Sequence, residues 1–383
     1  MGVSAKSMKV TQDDTPMMQQ YRGIKKEYSD SILFFRMGDF YEMFNEDAKT
    51  ASGILQIALT ARNKKTNPVP MCGIPHHSAN LYITKLLKAG KKVAICEQTE
   101  DPKQAKGLVK REVVRVITPG TILDDNILDP KKDQFIASVY FGKNQIGLAA
   151  LDVSTGVFKV TQIDGENTLS LLADELQKLD PKEIIIPSSI KEETQPWLPA
   201  GEVFVQTAED WTFSFSEAYR NLVEHFKTQS LEGFGCENME AAISSAGALI
   251  HYLRETQKSA MEHITALTPF PINDYMAVDQ CTLASLELVQ SSEGSRKNSL
   301  LDLLDLSHTP MGARRIREWI LKPLIDAEKI RERLNIVADF KDNPTERKHL
   351  RDLLKHIFDL ERLLGRITLS ACNARDLIAL KTS

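Results

Sequence analysis

Apolar and polar positions follow three different rhythms along the 383 residues of the chain. Over about residues 12–125, short apolar runs alternate with stretches of helical spacing. Thr15-Pro16 reads as a helix start, with Thr as N-cap and Pro at the first helical position, where its missing N–H costs nothing. Ser31–Arg36 is an apolar run bounded by Gly38 and reads as a buried strand. A helix over Glu46–Leu55 and strands over Gln56–Ala61 and Val69–Gly73 follow. Ser78 is placed to cap a second amphipathic helix through Leu87, and Gly90 stands where a left-handed residue ends it. Strands over Lys91–Gln98 and Glu112–Thr118 complete a small mixed sheet.

From about residue 130 to 258 the pattern opens with three strand signals, Gln134–Phe141, Ile146–Val153 and Val157–Ile163. Gly142-Lys143-Asn144 and Ser154-Thr155-Gly156 supply the turns between them. A helix over Asn167–Leu179 and a buried strand over Glu183–Ile186 come next. A three-strand meander followed by a helix and a strand is the opening of a ribonuclease H-like fold. From about Ile264 the signal is nearly all helical: Leu300–Leu306, Gly312–Leu321, Ala327–Phe340, Glu346–Ile357 and Leu360–Ile367 repeat apolar residues at three- and four-residue spacing. Pro310 and Pro323 punctuate them. The last helical stretch, Ala374–Leu380, meets the end of the chain with no Gly or Pro stop, which reads as part of a longer protein.

Length predicts two or three domains. A hydrophobic share of 42% with 26% charged residues is that of an ordinary globular protein. No apolar run approaches the ~18 residues that span a bilayer, so no membrane role is expected, and the polar N-terminus lacks the apolar core of a secretion signal. Five dispersed cysteines, never paired as C-x-x-C, predict reduced thiols and a cytoplasmic setting rather than a disulfide frame or zinc site. The net charge of −4 conceals an asymmetry. The first 125 residues carry an excess of basic side chains and the remainder an excess of acidic ones, which suits an anion meeting the N-terminal part.

Phe40-Tyr41-Glu42 follows a predicted strand and a Gly-Asp turn. In extended chain Phe40 and Glu42 project to one side, Tyr41 and Met43 to the other. An aromatic wedge can insert between base steps and kink a duplex, at a cost that falls where a base is already mispaired. A carboxylate beside DNA faces dense phosphate charge, a penalty that becomes selective if a displaced base offsets it with a hydrogen bond. The bland reading of the same spacing is a core strand with an exposed Glu. Arg62, Lys64 and Lys65 in one loop, and Lys106, Lys110, Arg111 and Arg115 in another, are residues that could neutralise phosphates or form solvated basic loops.

Enzymatic signatures are absent from the chain: there is no G-x-x-x-x-G-K-[ST], G-x-S-x-G or H-E-x-x-H. No catalytic, cofactor-binding or metal-binding residue is therefore assigned, and no cofactor is expected in this chain. Asp152 is the one residue that suggests an alternative, a metal-dependent nuclease on the middle segment. Two-metal hydrolysis needs several clustered carboxylates, and Gln134–Phe141 and Val157–Val160 supply none, so a turn-facing Asp is the expectation.

The motifs as a set resemble the MutS family of DNA mismatch repair proteins. Thr15-Pro16-Met17-Met18-Gln19-Gln20-Tyr21 and Phe35-Arg36-Met37-Gly38-Asp39-Phe40-Tyr41-Glu42 resemble the family's start. Pro70-Met71-Cys72-Gly73-Ile74-Pro75-His76-His77, Val93-Ala94-Ile95-Cys96-Glu97-Gln98 and Arg115-Val116-Ile117-Thr118-Pro119-Gly120-Thr121 follow in the family's order, then Leu151-Asp152-Val153-Ser154-Thr155-Gly156 and Thr309-Pro310-Met311-Gly312-Ala313-Arg314. The resemblance implies a multidomain α/β plus all-α chain. Its parts would be a flexible stretch over 1–11, a small mixed α/β mismatch-binding domain over 12–125, a ribonuclease H-like connector over 126–258, and the first part of a helical core or lever domain over 259–383.

It also implies that Phe40 stacks as the wedge, that Glu42 contacts the mispaired base, and that Arg62 and Met71 are neighbouring DNA contacts, with Lys64, Lys65, Lys110 and Arg111 as further candidates. Mismatched or looped double-stranded DNA would be the ligand and a MutL-type protein the partner, docking through the connector. Homodimerisation, ATP and Mg would belong to the full-length protein, and a chain of this extent alone would be monomeric or weakly associating and bind DNA weakly, for want of avidity. The setting implied is bacterial cytoplasm, at the nucleoid.

Overall fold

The computed structural model describes residues 15–62, 68–100, 107–124, 127–193, 196–199, 201, 203–259 and 261–383. Two compact units emerge: Met1–Pro119 with Thr256–Lys258, and Gly120–Glu255 with Ser259–Ser383.

In the first unit, α1 (Pro16–Glu27) precedes the hairpin of β1 (Ser31–Met37) and β2 (Phe40–Phe44). Then come α2 (Asn45–Leu55), β3 (Thr60–Arg62), β4 (Val69–Pro75), α3 (Ala79–Lys88), β5 (Lys92–Gln98) and β6 (Arg111–Ile117). The six strands form one mixed sheet in the order β3-β4-β2-β1-β5-β6, antiparallel except where β1 runs parallel to β5. The apolar run in β1 reflects burial on both faces: Leu33, Phe34 and Phe35 are all fully buried. Met17, Met18 and Tyr21 of α1 pack with Leu33, Phe35 and Phe44 on one face. On the other, Cys72 Sγ donates to Ala48 O of α2.

Three local expectations need correction. Thr15 and Ser78 stand at N-cap positions, but neither side chain makes the capping hydrogen bond; Pro16 fills the first helical position as anticipated. Gln56–Leu59 is not strand. Gln56 takes φ 57° and its N–H bonds Ser52 O, closing α2 with a left-handed residue, so pairing begins only at Thr60. Gly90, at φ +67°, follows α3 as predicted, its N–H reaching Leu87 O.

The second unit opens with the antiparallel meander β7 (Phe135–Phe141), β8 (Gln145–Asp152) and β9 (Val157–Asp164), then α4 (Thr168–Leu179) and β10 (Glu183–Pro187), which runs parallel to β7. Three further elements lie outside the expectations from pattern: β11 (Phe204–Ala208), α5 (Phe215–Phe226) and α6 (Glu240–Gln257). α6 is rich in small apolar residues and buried on most sides, so it lacks the polar stripe that announces a surface helix. β12 (Thr268–Pro269) interrupts the stretch expected to be helical and pairs with β9. The sheet order is β11-β10-β7-β8-β9-β12. α4 covers one face, with Leu172, Leu176 and Leu179 against Ala137, Leu148 and Ile184. α5 and α6 cover the other, with Ala218, Leu222, Ala246 and Leu249 against Ile136, Ala149 and Phe158.

The remaining helices are α7 (Gln280–Ser285), α8 (Leu300–Leu304), α9 (Pro310–Leu321), α10 (Ala327–Asp342), α11 (Pro344–Leu354), α12 (Leu360–Thr368) and α13 (Ala374–Thr382). Thr309, Asp326, Asp359 and Asn373 cap α9, α10, α12 and α13 through their side chains. Charged anchors tie this part to the sheet. The Arg314 guanidinium makes two hydrogen bonds to the Asp359 carboxylate at 2.7 and 2.8 Å, reaches Glu361 at 2.6 Å and donates to Pro130 O at 3.0 Å. Arg362 donates to the backbone carbonyls of Asp129 and Lys132. All five cysteines are unpaired, with Cys72, Cys96 and Cys236 buried. Among the described residues no helix is long and apolar enough to cross a membrane.

Candidate nucleic-acid interface

The β1–β2 hairpin closes with two residues, Gly38-Asp39, between the paired Met37 and Phe40. Gly38 adopts φ +58° at the first loop position, a conformation that strains any residue with a Cβ. The turn is held from just past the end of β4: His76 N–H donates to Asp39 O at 2.9 Å. Phe40 therefore starts β2 at a pinned strand tip. Its side chain is 48% exposed, whereas Tyr41, Met43 and Phe44 of the same strand are buried. Full burial of a Phe contributes roughly 1.5–3 kcal/mol, so folding leaves much of that unrealised here.

Alternation along β2 is as the sequence predicts: Phe40 and Glu42 share one face, Tyr41 and Met43 the other. Toward Phe44 the first face is covered by α1; toward Phe40 it opens. Register places Pro75, Gly73 and Met71 of β4 opposite Phe40, Glu42 and Phe44, and Val69 opposite Arg62 of β3. Gly73 lies directly across from Glu42, and a Cβ there would come within 3.7 Å of the Glu42 side chain and 3.4 Å of Tyr41 O.

Glu42 is half-buried and pairs with Arg62 at 3.4 Å, a long contact between partly exposed groups. Burial raises the Glu42 carboxyl above the ordinary carboxylate range, against the opposing pull of Arg62 and Arg111. Arg62 also lies over the Phe44 ring at 5.9 Å. Met71 is partly buried and packs at the border of the apolar core beside Phe44.

Lys110 is exposed and pairs with Glu112 at 2.6 Å. Arg111 differs from its reading as a phosphate contact. It is buried, donating to Arg36 O at 2.8 Å, Gln20 Oε1 at 3.1 Å and Val109 O at 3.0 Å, with its guanidinium 5.0 Å from the Phe35 ring centre. With those donors engaged, its geometry is that of a strut under the hairpin. Arg115 lies on β6 opposite Ile95. Lys64, Lys65 and Lys106 lie outside the described residues.

Spacing did not single out the residues that brace Tyr41 behind the open face. Tyr41 Oη donates to Glu97, Arg36 lies 5.6 Å from the Tyr41 ring centre, and Arg36 reaches Glu97 at 3.7 Å. Burial and the neighbouring Glu97 carboxylate push the Tyr41 phenol upward, so it stays a neutral donor. Only the parallel pairing of β5 with β1 brings these groups together.

The alternative centred on Asp152 meets a different geometry. Asp152 is fully buried, and its carboxylate accepts from Gln134 N–H and Ser154 N–H, each at 2.8 Å, and from the Ser154 hydroxyl at 2.6 Å. Oδ1 holds the β8–β9 turn, the turn-facing role anticipated for it, and Oδ2 ties that turn to the residue before β7.

Comparison with known proteins assigns three consecutive stretches of the chain. Residues 15–126 match the family model of MutS domain I, residues 134–265 that of MutS domain II, and residues 281–383 that of MutS domain III. The DNA mismatch repair protein MutS of Halothermothrix orenii is 48% identical over 379 residues, covering 96% of this chain and 41% of that protein. The protein of the same name from Desulforapulum autotrophicum is 46% identical over 378 residues, with 97% and 42% covered. That of Symbiobacterium thermophilum is 44% identical over 375 residues, with 96% and 43% covered. The chain thus spans about two-fifths of the length of these relatives.

Proposed function

Because the chain belongs to the MutS family, we propose that its first unit senses mispaired or looped DNA through the open end of its sheet. The observation that carries this reading is the pairing of a half-exposed Phe40 at a pinned strand tip with a half-buried Glu42 two residues on, on one face. Phe40 would enter the minor groove as a wedge, unstacking a base step at a cost of about a few kcal/mol that is smallest at a mispair. Glu42 would turn toward the displaced base. Its raised carboxyl gains a proton more readily than an exposed one, and the phosphate field of the duplex pushes the same way, so it can donate a hydrogen bond as well as accept one. Arg62, 3.4 Å from Glu42, is placed to exchange that pair for a phosphate; Met71 would pack along the groove and Lys110 meet the backbone.

In the same reading, residues 134–265 form a ribonuclease H-like connector, supported by the meander, helix and parallel strand of the second sheet, and offer the surface for a MutL-type partner. ATP and Mg use and homodimerisation are functions we assign to the whole-length protein. The test is competition between matched and mismatched duplexes for wild type and Phe40→Ala. Phe40→Ala should lose the preference while keeping most nonspecific affinity; an unchanged preference would rule the wedge out. Glu42→Ala should raise matched-duplex affinity and narrow the gap.

A further inference from the structure

A second concentration of charge lies wholly within the second unit, in a cleft of about 40 Å³ between the end of α4, the start of β7 and the outer turn of α9. Its cationic lining is Lys132, Lys159, Lys178, Arg317 and Lys322, its anionic lining Asp133, Asp180 and Glu318, and Lys178 is paired with Glu175 at 2.7 Å. Most of these charges are spoken for. Lys159 pairs with Glu318 at 2.5 Å, Lys322 with Glu175 at 3.0 Å, Asp180 with Lys182 at 2.9 Å, and Asp133 lies 3.7 Å from Arg314.

Two are not. Among the described residues, neither the Lys132 ammonium nor the Arg317 guanidinium makes a hydrogen bond or ion pair, and Arg317 Nη1 is buried with no acceptor. A buried donor left unmade is costly, more so when charged. Burial and the nearby Arg317 push the Lys132 ammonium below its ordinary value, and burial does the same to Arg317. The last turns of α4 and α9 present carbonyls that attract cations, yet neither side chain bonds to them. A cleft of this size exceeds the roughly 10–15 Å³ that one water requires.

We propose that this cleft binds a small tetrahedral oxyanion of the phosphate class, held by the Arg317 guanidinium and the Lys132 ammonium. The planar fork of Arg317 matches two oxygens of such an ion, and Lys132 supplies a point charge to a third. The ion makes up for both missing partners at once. The cleft is too small for a nucleoside, so the ligand is either the free ion or a terminal phosphate entering from the open side.

Inorganic phosphate titrated onto the chain at constant ionic strength, read by equilibrium dialysis of labelled phosphate and by thermal unfolding, tests this. The expected result is saturable binding of one ion per chain with a raised unfolding midpoint. Arg317→Gln and Lys132→Gln should each weaken binding at least tenfold, with Arg317→Lys in between. Lys132 is only partly buried, so Lys132→Gln carries the test if Arg317→Gln disturbs folding. A nucleoside triphosphate that displaces labelled phosphate identifies a terminal phosphate as the ligand; one that does not identifies the free ion. Absence of saturable binding by the wild-type chain, or equal binding by wild type and variants, overturns the site.

Discussion

The chain builds two six-stranded sheets, and they treat their faces differently. The sheet ordered β11-β10-β7-β8-β9-β12 is covered on both sides, by α4 on one and by α5 and α6 on the other. Packing there leaves no slack: a Cβ on Gly147 of the sheet would lie 1.8 Å from Ala241 O of α6, and one on Gly247 of α6 2.3 Å from Ala218 Cα of α5. The sheet ordered β3-β4-β2-β1-β5-β6 is covered by α1 only toward Phe44, leaving Phe40 and Glu42 at an uncovered end. Strand number does not separate the two. What separates them is whether a neighbouring element claims the face, and an unclaimed face that keeps a Phe is a place where burial was forgone.

Four changes probe that contrast. All three tryptophans, Trp197, Trp211 and Trp319, fall in the second unit, so their fluorescence reports its unfolding. Arg314→Ala should have the largest effect, roughly 3–5 kcal/mol of destabilisation in the tryptophan-detected transition, because it strands the Asp359 and Glu361 carboxylates and frees Pro130 O. A loss under about 1 kcal/mol would mean those charges rehydrate freely. Gly147→Ala should cost about 1–3 kcal/mol or more in the same transition, since its obstacle is backbone and cannot swing away.

Phe40→Ala, in contrast, should leave stability within about 1 kcal/mol of wild type while removing about 1–3 kcal/mol of preference for mismatched duplex, the range for stacking one base on an aromatic ring. Titration of matched and mismatched duplexes beside a denaturant curve measures both. The smallest effect belongs to Glu42→Gln. Burial raises the Glu42 carboxyl, so the folded state holds that proton more tightly than the unfolded chain, and stability falls as pH rises from the unfolded value through the raised one. Glu42→Gln should therefore be slightly more stable than wild type at pH 7, and the gap should close on acidification toward pH 4. A wild type more stable at pH 7 would show that the pair with Arg62 outweighs burial.

Local rules carried much of the reading. The two-residue period of a pleated strand was enough to divide β2 into Phe40 and Glu42 on one side and Tyr41 and Met43 on the other, because side-chain direction in a strand is set by the backbone alone. Turn chemistry placed Gly38 and Asp152 correctly for the same reason. Where partners lay far along the chain the rules ran out. Gln56 resembled strand because its apolar successors hid a helix end, and α6 escaped notice because a helix buried on most sides shows no polar stripe.

By itself, then, the sequence determined the family, the order of motifs, the strand that bears Phe40 and Glu42, and which way each side chain of that strand points. These follow from chain-local geometry and from residue identity at fixed spacing. Tertiary structure alone decided that α1 stops short of Phe40, that Glu97 and Arg36 brace Tyr41 from behind, and that Arg111 lies under the hairpin. It also placed Arg317 and Lys132 on one cleft, where neither side chain finds a hydrogen-bond or ion-pair partner among the described residues. Each of those outcomes depends on which distant strand or helix packs beside the residue, because burial and charge pairing are properties of neighbours in space.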